Sequence, residues 1–422
     1  MRKEHVLLFL LIVSLDFFLF MPYENLGISR IVKSGIILYL MLACVSKRYN
    51  EDQDDTDENR VLLFKREIIL LIILPFVSGI SSYIYRGQPI LISWMAARNS
   101  LYFLLYFYLH KIRITSLDLI NVVVIIAFIS CLIYVGQQIA YPSIFLFNET
   151  QNADEVEIRN GFYRFRLFSL NPYIYFAFFY SLYCFMLAES KKINYLPSLL
   201  LFFVGVFLTL TRQVYVCIFI PALFYSLFDG EQLNIKKIVG FVFGLLILYI
   251  VYLNLESILG ADMIERTQSE SEDNIRYLSY YYYGIEYWQD NLNMVFGNGV
   301  PSWGNSIYGN EMQDIEEVSH LYRSDIGVVG TFSTYGIAYL VAIVLTYWKV
   351  FKNFRLIPTY LRLLIIASII NLPLACWLEP EMGLYMSVIF YLIDMNVTER
   401  LACHSAYNND IGIKSIELDV VK

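Results

Sequence analysis

Twelve stretches of mostly apolar residues constrain the fold of this chain more than any other feature. They run over 5–21, 28–45, 67–85, 90–110, 118–141, 167–188, 196–210, 214–228, 238–255, 326–348, 359–377 and 382–395. A hydrocarbon core about 30 Å thick needs roughly 20 such residues in a helix. Lipid offers the backbone no hydrogen-bond partner, so each stretch is expected to be helical. Composition agrees. Charged residues are 16% of the 422, against about 25% in an average soluble domain. That excludes a disordered chain, a basic nucleic-acid-binding domain and an ordinary cytosolic enzyme. The first stretch lacks a small-residue cleavage site and is soon followed by a second, so it reads as a span rather than a removed signal.

Charge placement gives an orientation. With both termini in the cytoplasm, 20 of the 31 Lys and Arg fall on the inner side, and every short inner loop is basic. The positive-inside rule requires this, and the reverse orientation breaks it. The expected fold class is an all-α integral membrane protein of about twelve transmembrane helices. Residues 1–255 carry spans one to nine. Residues 256–325 form a large outer loop with short amphipathic helices. Residues 326–395 carry spans ten to twelve, and 396–422 form a cytoplasmic tail. The net charge of −7 averages over two unlike faces and identifies no partner.

The cations left outside or within the membrane are Lys33 and ten arginines: Arg30, Arg86, Arg98, Arg159, Arg164, Arg166, Arg212, Arg266, Arg276 and Arg323. A guanidinium stays charged and presents a fork that matches phosphate or carboxylate oxygens. Some of these arginines are equally expected to cap outer helix ends or to pair with Asp and Glu. Arg98 falls inside a span, where a charge is expensive and points to function. The six cysteines show no metal or disulfide spacing, and neither H-E-x-x-H nor a Gly-rich phosphate loop occurs. No metal and no cofactor is expected.

The large loop has texture. In 275–288, apolar Ile275, Leu278, Tyr282 and Ile285 recur at helical spacing, which suggests a helix lying on the outer membrane surface. Its Tyr281, Tyr282 and Trp288 suit either the headgroup zone or the faces of sugar rings. Gly297-Asn298-Gly299 signals a turn. The loop ends at His320, beside Arg323 and Asp325, with Gly327, Gly330 and then Tyr335-Gly336 following. His320 is the sole outer histidine and a candidate general base. Asp325 could serve as a helix cap.

Four segments resemble those of the bacterial O-antigen polymerase and O-antigen ligase superfamily. They are Arg164-Phe165-Arg166-Leu167-Phe168-Ser169-Leu170-Asn171-Pro172, Leu208-Thr209-Leu210-Thr211-Arg212, Arg276 with the Gly297-Asn298-Gly299 turn, and the His320 segment with Asp325-Ile326-Gly327 and Tyr335-Gly336. The family's small residue before Phe is Leu167 here, and no outer Arg opens an Arg-x10-Gly pattern.

The resemblance implies a metal-independent, inverting, C-type glycosyltransferase of the bacterial inner membrane. It would polymerise undecaprenyl-diphosphate-linked repeat units at the periplasmic face, using lipid-linked donor and acceptor glycans. A chain-length regulator and a flippase are its implied partners, and nucleic acid is not. Arg166, Arg212 and Arg276 would hold the leaving diphosphate, and His320 would activate the acceptor hydroxyl. Arg98, Arg164, Arg323, Asp325, Tyr281, Tyr282 and Trp288 would bind substrate. The alternatives are a ligase that transfers the glycan to lipid A core and, from another class, a lipid-linked oligosaccharide flippase. The long outer loop and the lack of an internal repeat weigh against the flippase, and the lack of Gly/Pro-broken span pairs weighs against an ion or amino-acid transporter.

Overall fold

The computed structural model describes residues 3–14, 28–46, 62–141, 158–159, 161–165, 170–187, 192–228 and 275–410. The described chain is helical apart from one small hairpin. Its helices are α1 (Lys3–Ser14), α2 (Ile28–Val45), α3 (Lys65–Arg86), α4 (Ile90–Ala97), α5 (Leu104–Ile112), α6 (Ser116–Ala140), α7 (Asn171–Leu187), α8 (Lys192–Leu208) and α9 (Arg212–Phe228). Then come α10 (Ile275–Tyr281), α11 (Asn291–Phe296), α12 (Ile307–Val318), α13 (Gly327–Lys352), α14 (Thr359–Asn371) and α15 (Gly383–Asp410).

Stretch 238–255 lies outside the described residues, as does 15–21 of the first stretch. The other eleven stretches each carry a described helix. Four helical runs are long and apolar enough to cross a membrane: Lys65–Arg86, Ile90–Ile112, Ser116–Ala140 and Arg323–Lys352. The chain thus has the build of a helical membrane protein. Three departures from the expected spans have local causes. Stretch 359–377 stops being helical at Asn371, because Pro373 has no N–H for the next turn and the Leu372 carbonyl instead accepts from Val328 N (2.8 Å). Run 90–112 tightens into a 3-10 segment over Arg98–Phe103. The final helix continues to Asp410, well past the expected boundary at 395.

Helix ends are set by familiar devices. Thr115 caps α6 by accepting from Asp118 N (3.1 Å). Ser306 caps α12 by accepting from Gly309 N (2.9 Å). Gly87, with φ 65°, turns the chain at the end of α3. Helix α7 is the centre of the bundle. Every residue from Asn171 to Phe179 is buried, against α6, α8 and α14. Around it, α13 packs on α3, α9 on α14 and α15 on α5.

Polar contacts gather at the two ends of α3, near Glu67 and near Arg86. At the end where α3 begins, Asp394 gathers Tyr106 Oη (2.5 Å), Leu63 N (3.0 Å) and His110 Nε2 (3.2 Å). Lys349 pairs with Glu67 there (2.7 Å). A buried carboxylate with this many donors ties α5, α15 and the approach to α3 together, because a buried carboxylate short of hydrogen-bond donors is costly. The opposite end carries α10 to α12 and the residues described next.

Candidate functional site

The opposite end is organised by a break in α13. Gly336 has φ 78° and ψ −179°, which interrupts the helix inside an apolar run. The break frees carbonyls, and an unsatisfied carbonyl in an apolar setting costs several kcal/mol. The Gly297-Asn298-Gly299 turn supplies the missing donors. Asn298 N reaches Ser333 O (3.2 Å), Gly299 N reaches Thr334 O (2.8 Å), and Asn298 Nδ2 adds a further bond to Ser333 O (3.0 Å). The two backbones touch. A Cβ on Gly297 would run into Thr334 O and Tyr335 C, and one on Gly336 into Val295 O. The turn and the Tyr335-Gly336 pair, singled out separately in the sequence, are therefore two halves of one joint.

Arg86 clamps this joint to α3. Its Nε donates to Asn298 Oδ1 (2.8 Å) and its Nη2 to Tyr287 O (2.6 Å). The guanidinium lies 4.1 Å from the Tyr287 ring centre. It also faces Glu311 at 3.6 Å, but Glu311 is half in solvent, so that ion pair contributes little. Arg86→Ala is expected to destabilise the protein by about 3 kcal/mol through two lost charge-assisted hydrogen bonds. Hydrogen exchange of residues 287–299 should rise accordingly. Glu311→Ala should change exchange there hardly at all; equal effects would mean that the surface pair holds the joint.

Beyond the clamp sits a tyrosine-lined pocket of charge. Tyr283, Tyr287 and Tyr308 are buried together. Tyr287 Oη donates to Tyr308 Oη (3.0 Å), and Tyr283 Oη donates to Leu321 O (2.9 Å). Arg323 faces these rings and the buried Glu316. Its backbone N–H bonds the Glu316 carboxylate. Burial holds the Glu316 carboxyl above its ordinary value, and the charge and backbone N–H of Arg323 oppose that rise. Arg323 Nη1 is sealed from solvent and meets no hydrogen-bond partner among the described residues.

The connection from α14 to α15 closes the site. Lid helix α10 is tied to it by Tyr280 Oη, which donates to Pro373 O. Glu379 on this connection accepts from Thr331 Oγ1 (2.5 Å), one turn into α13. Burial pushes the Glu379 carboxyl up to about 7; Thr331's hydroxyl and the charge of Arg323 oppose the rise and Glu381 adds to it. On its other flank, the turn Pro380–Met382 packs on the 3-10 segment that begins with Arg98. Among the described residues, Arg98 Nη1 reaches Met95 O (3.3 Å), and its Nε is sealed with no hydrogen-bond partner. Two arginines with unsatisfied, sealed nitrogens thus flank the Glu379 connection. Such orphans call for an explanation, because leaving a charged donor unpaired costs more than leaving a neutral one.

The remaining candidates are distributed unevenly. Arg166 lies outside the described residues. Arg212 opens α9 after the Thr209-Leu210-Thr211 break, but its side chain lies outside the described residues. Arg164 follows the Ile158–Tyr163 hairpin, whose edge is held by Gln138 Oε1 on Tyr163 N (2.9 Å). Arg276 and Tyr281 are exposed on α10. Tyr282 is half-buried in a π turn that continues α10, its ring against Tyr283 and Tyr287. Trp288 packs on Phe332 and donates to Gly284 O (3.1 Å), so it belongs to the lid's packing. His320 is exposed with φ 55°, its ring 6.4 Å from Tyr322. Asp325 is exposed, and α13 begins without a side-chain cap. Among the described residues, no group of three metal-ligating side chains occurs.

Sequence reasoning passed over Glu379 and Thr331. The signal available for Glu379 was a Trp-Leu-Glu-Pro-Glu run between two apolar stretches. Arg86 was marked as an outer arginine, and its role is the helix-end one expected for some of that set. Fold and site together define a helical membrane protein with an arginine-bearing polar site at one end of its bundle. No protein-family model, no curated protein and no solved structure matches the chain significantly.

Proposed function

We propose that this protein transfers a glycan from a polyprenyl-diphosphate donor to an acceptor sugar hydroxyl, and that it does so as a repeat-unit polymerase of a bacterial surface polysaccharide. The observation that carries this reading is the pair Arg98 and Arg323. Each holds a sealed guanidinium nitrogen without a hydrogen-bond partner among the described residues, and their segments flank the connection that bears Glu379. A leaving diphosphate develops negative charge on its oxygens, and fixed guanidinium groups in a low-dielectric setting stabilise such charge strongly. The broken helix beside the site fits a lipid-linked substrate, since irregular backbone at membrane depth occurs where it lines a cavity or is buried in protein. The twelve-span topology, cytoplasmic termini and periplasmic active face belong to the same proposal. Arg166, Arg212 and Arg276 keep the roles that the family resemblance gives them.

The test is a gel of surface polysaccharide from cells with and without the gene. Loss of the long-chain ladder with a single repeat unit retained is the expected result. Loss of the single-unit band as well would favour the ligase or the flippase. An unchanged ladder would remove the assignment.

A further inference from the structure

Glu379 has a place in that chemistry which the sequence motifs do not give it. We propose that the Glu379 carboxylate is the general base that takes the proton from the acceptor hydroxyl. The inference rests on the reading of the protein as a glycosyltransferase and names the residue that activates its acceptor.

The placement is specific. Glu379 lies in the connection between α14 and α15, which is held on two sides. Val328 N bonds Leu372 O (2.8 Å), and the chain passes so close to Gly327 that a Cβ there would strike Leu372 O. Thr331 Oγ1 fixes one carboxylate oxygen at 2.5 Å. A base must come within about 3 Å of the proton it removes, and the tether fixes the carboxylate's orientation for that approach. The groups facing Glu379 are Thr331, Tyr335 and Tyr339 from α13, Arg323 from the turn before it, and Cys376 and Glu381 from its own connection. Arg323 is the one cation in this set. It can hold a phosphate oxygen of the donor while Glu379 faces the acceptor.

The step balances as follows. The acceptor O–H proton passes to a Glu379 oxygen as the hydroxyl oxygen forms a bond to the anomeric carbon. The bond from that carbon to the diphosphate oxygen breaks, and its electron pair leaves with the polyprenyl diphosphate. Glu379 then returns the proton to water. With its carboxyl pushed up to about 7, Glu379 is a stronger base than an exposed glutamate and keeps a substantial ionised fraction at neutral pH. His320 is exposed on the loop, in a left-handed turn, and lacks such a tether among the described contacts.

The experiment uses purified full-length protein in lipid nanodiscs with undecaprenyl-diphosphate-linked repeat units, and follows initial rates across the neutral range. The wild-type rate should fall about tenfold per pH unit below about 7, as Glu379 becomes protonated. Glu379→Gln should be slower by at least about 100-fold and should lose that acid limb. Glu379→Asp, which keeps a carboxylate, should be slowed but retain the limb. This readout also separates a base from a merely structural carboxyl, even if the Gln variant folds poorly. A Gln variant with the wild-type acid limb would overturn the assignment and return the role to His320. A wild-type protein that makes no polymer would overturn the reading on which the assignment rests.

Discussion

Gly297→Ala is expected to destabilise the fold by about 4 kcal/mol or more, which is the range reserved for severe backbone conflict. Two effects add. The residue has φ 82° and ψ 175°, a region essentially reserved for glycine that strains an alanine by about 1–3 kcal/mol. The new methyl would also meet the backbone of Thr334, Tyr335 and Gly336, which cannot swing aside as a side chain does. The turn would have to lift off α13. Asn298 and Gly299 would then no longer satisfy the carbonyls of Ser333 and Thr334 at the break. Gly304 provides the comparison. It has φ 67°, but a Cβ there meets nothing within 4 Å, so Gly304→Ala should show the strain alone. The check is the melting temperature of the solubilised protein for both variants. Similar small drops for the two would mean that the joint is loose and that α13 does not depend on the turn for its hydrogen bonds.

Much of the helical frame was legible because lipid imposes one pattern, a long apolar run, that sequence shows directly. The runs that failed to stay regular did so through tertiary contacts. The break at Gly336 needs a partner, and its partner lies in the Gly297-Asn298-Gly299 turn, with α12 in between. Each motif was visible alone, but their pairing was not. The lid helix shows the same limit. Its sequence marks Ile275, Leu278, Tyr282 and Ile285 as one face, whereas the buried side carries Ser279, Tyr283 and Tyr287. Leu278 and Ile285 are left exposed, because tyrosines with satisfied hydroxyls pack against Arg86 and Arg323 in preference to the aliphatic stripe. The rule that apolar residues face inward assumes one apolar interior, and a chain read as membrane-spanning has two apolar environments.

The site shows a further asymmetry between what motifs reveal and what geometry reveals. Arginine was recognisable as a class, since the cations away from the basic short loops are nearly all Arg, which is visible by counting. Which arginine does what was not. Arg86 and Arg323 both face buried tyrosines, yet Arg86 spends its donors on Tyr287 and Asn298 whereas Arg323 keeps one without a partner. Hydrogen-bond accounting distinguishes a clamp from a binding group, and sequence spacing cannot.

That distinction gives the last expected result. Arg323→Lys should reduce transfer by about 100-fold, the scale of removing one preorganised donor from a charge-stabilising site. The fold should survive. Lysine keeps the positive charge beside the buried Glu316, and the backbone N–H of residue 323 still reaches that carboxylate. What lysine lacks is the planar fork, whose unpartnered Nη1 is the feature that suits a second ligand. Arg323→Ala differs in kind, because Glu316 would lose its facing charge and the protein would be destabilised by about 3 kcal/mol. The two variants therefore separate binding from stability when melting and transfer are measured on the same preparations. A lysine variant with wild-type transfer would show that charge alone suffices at this position, and Arg323 would then serve Glu316 and the lid rather than a diphosphate.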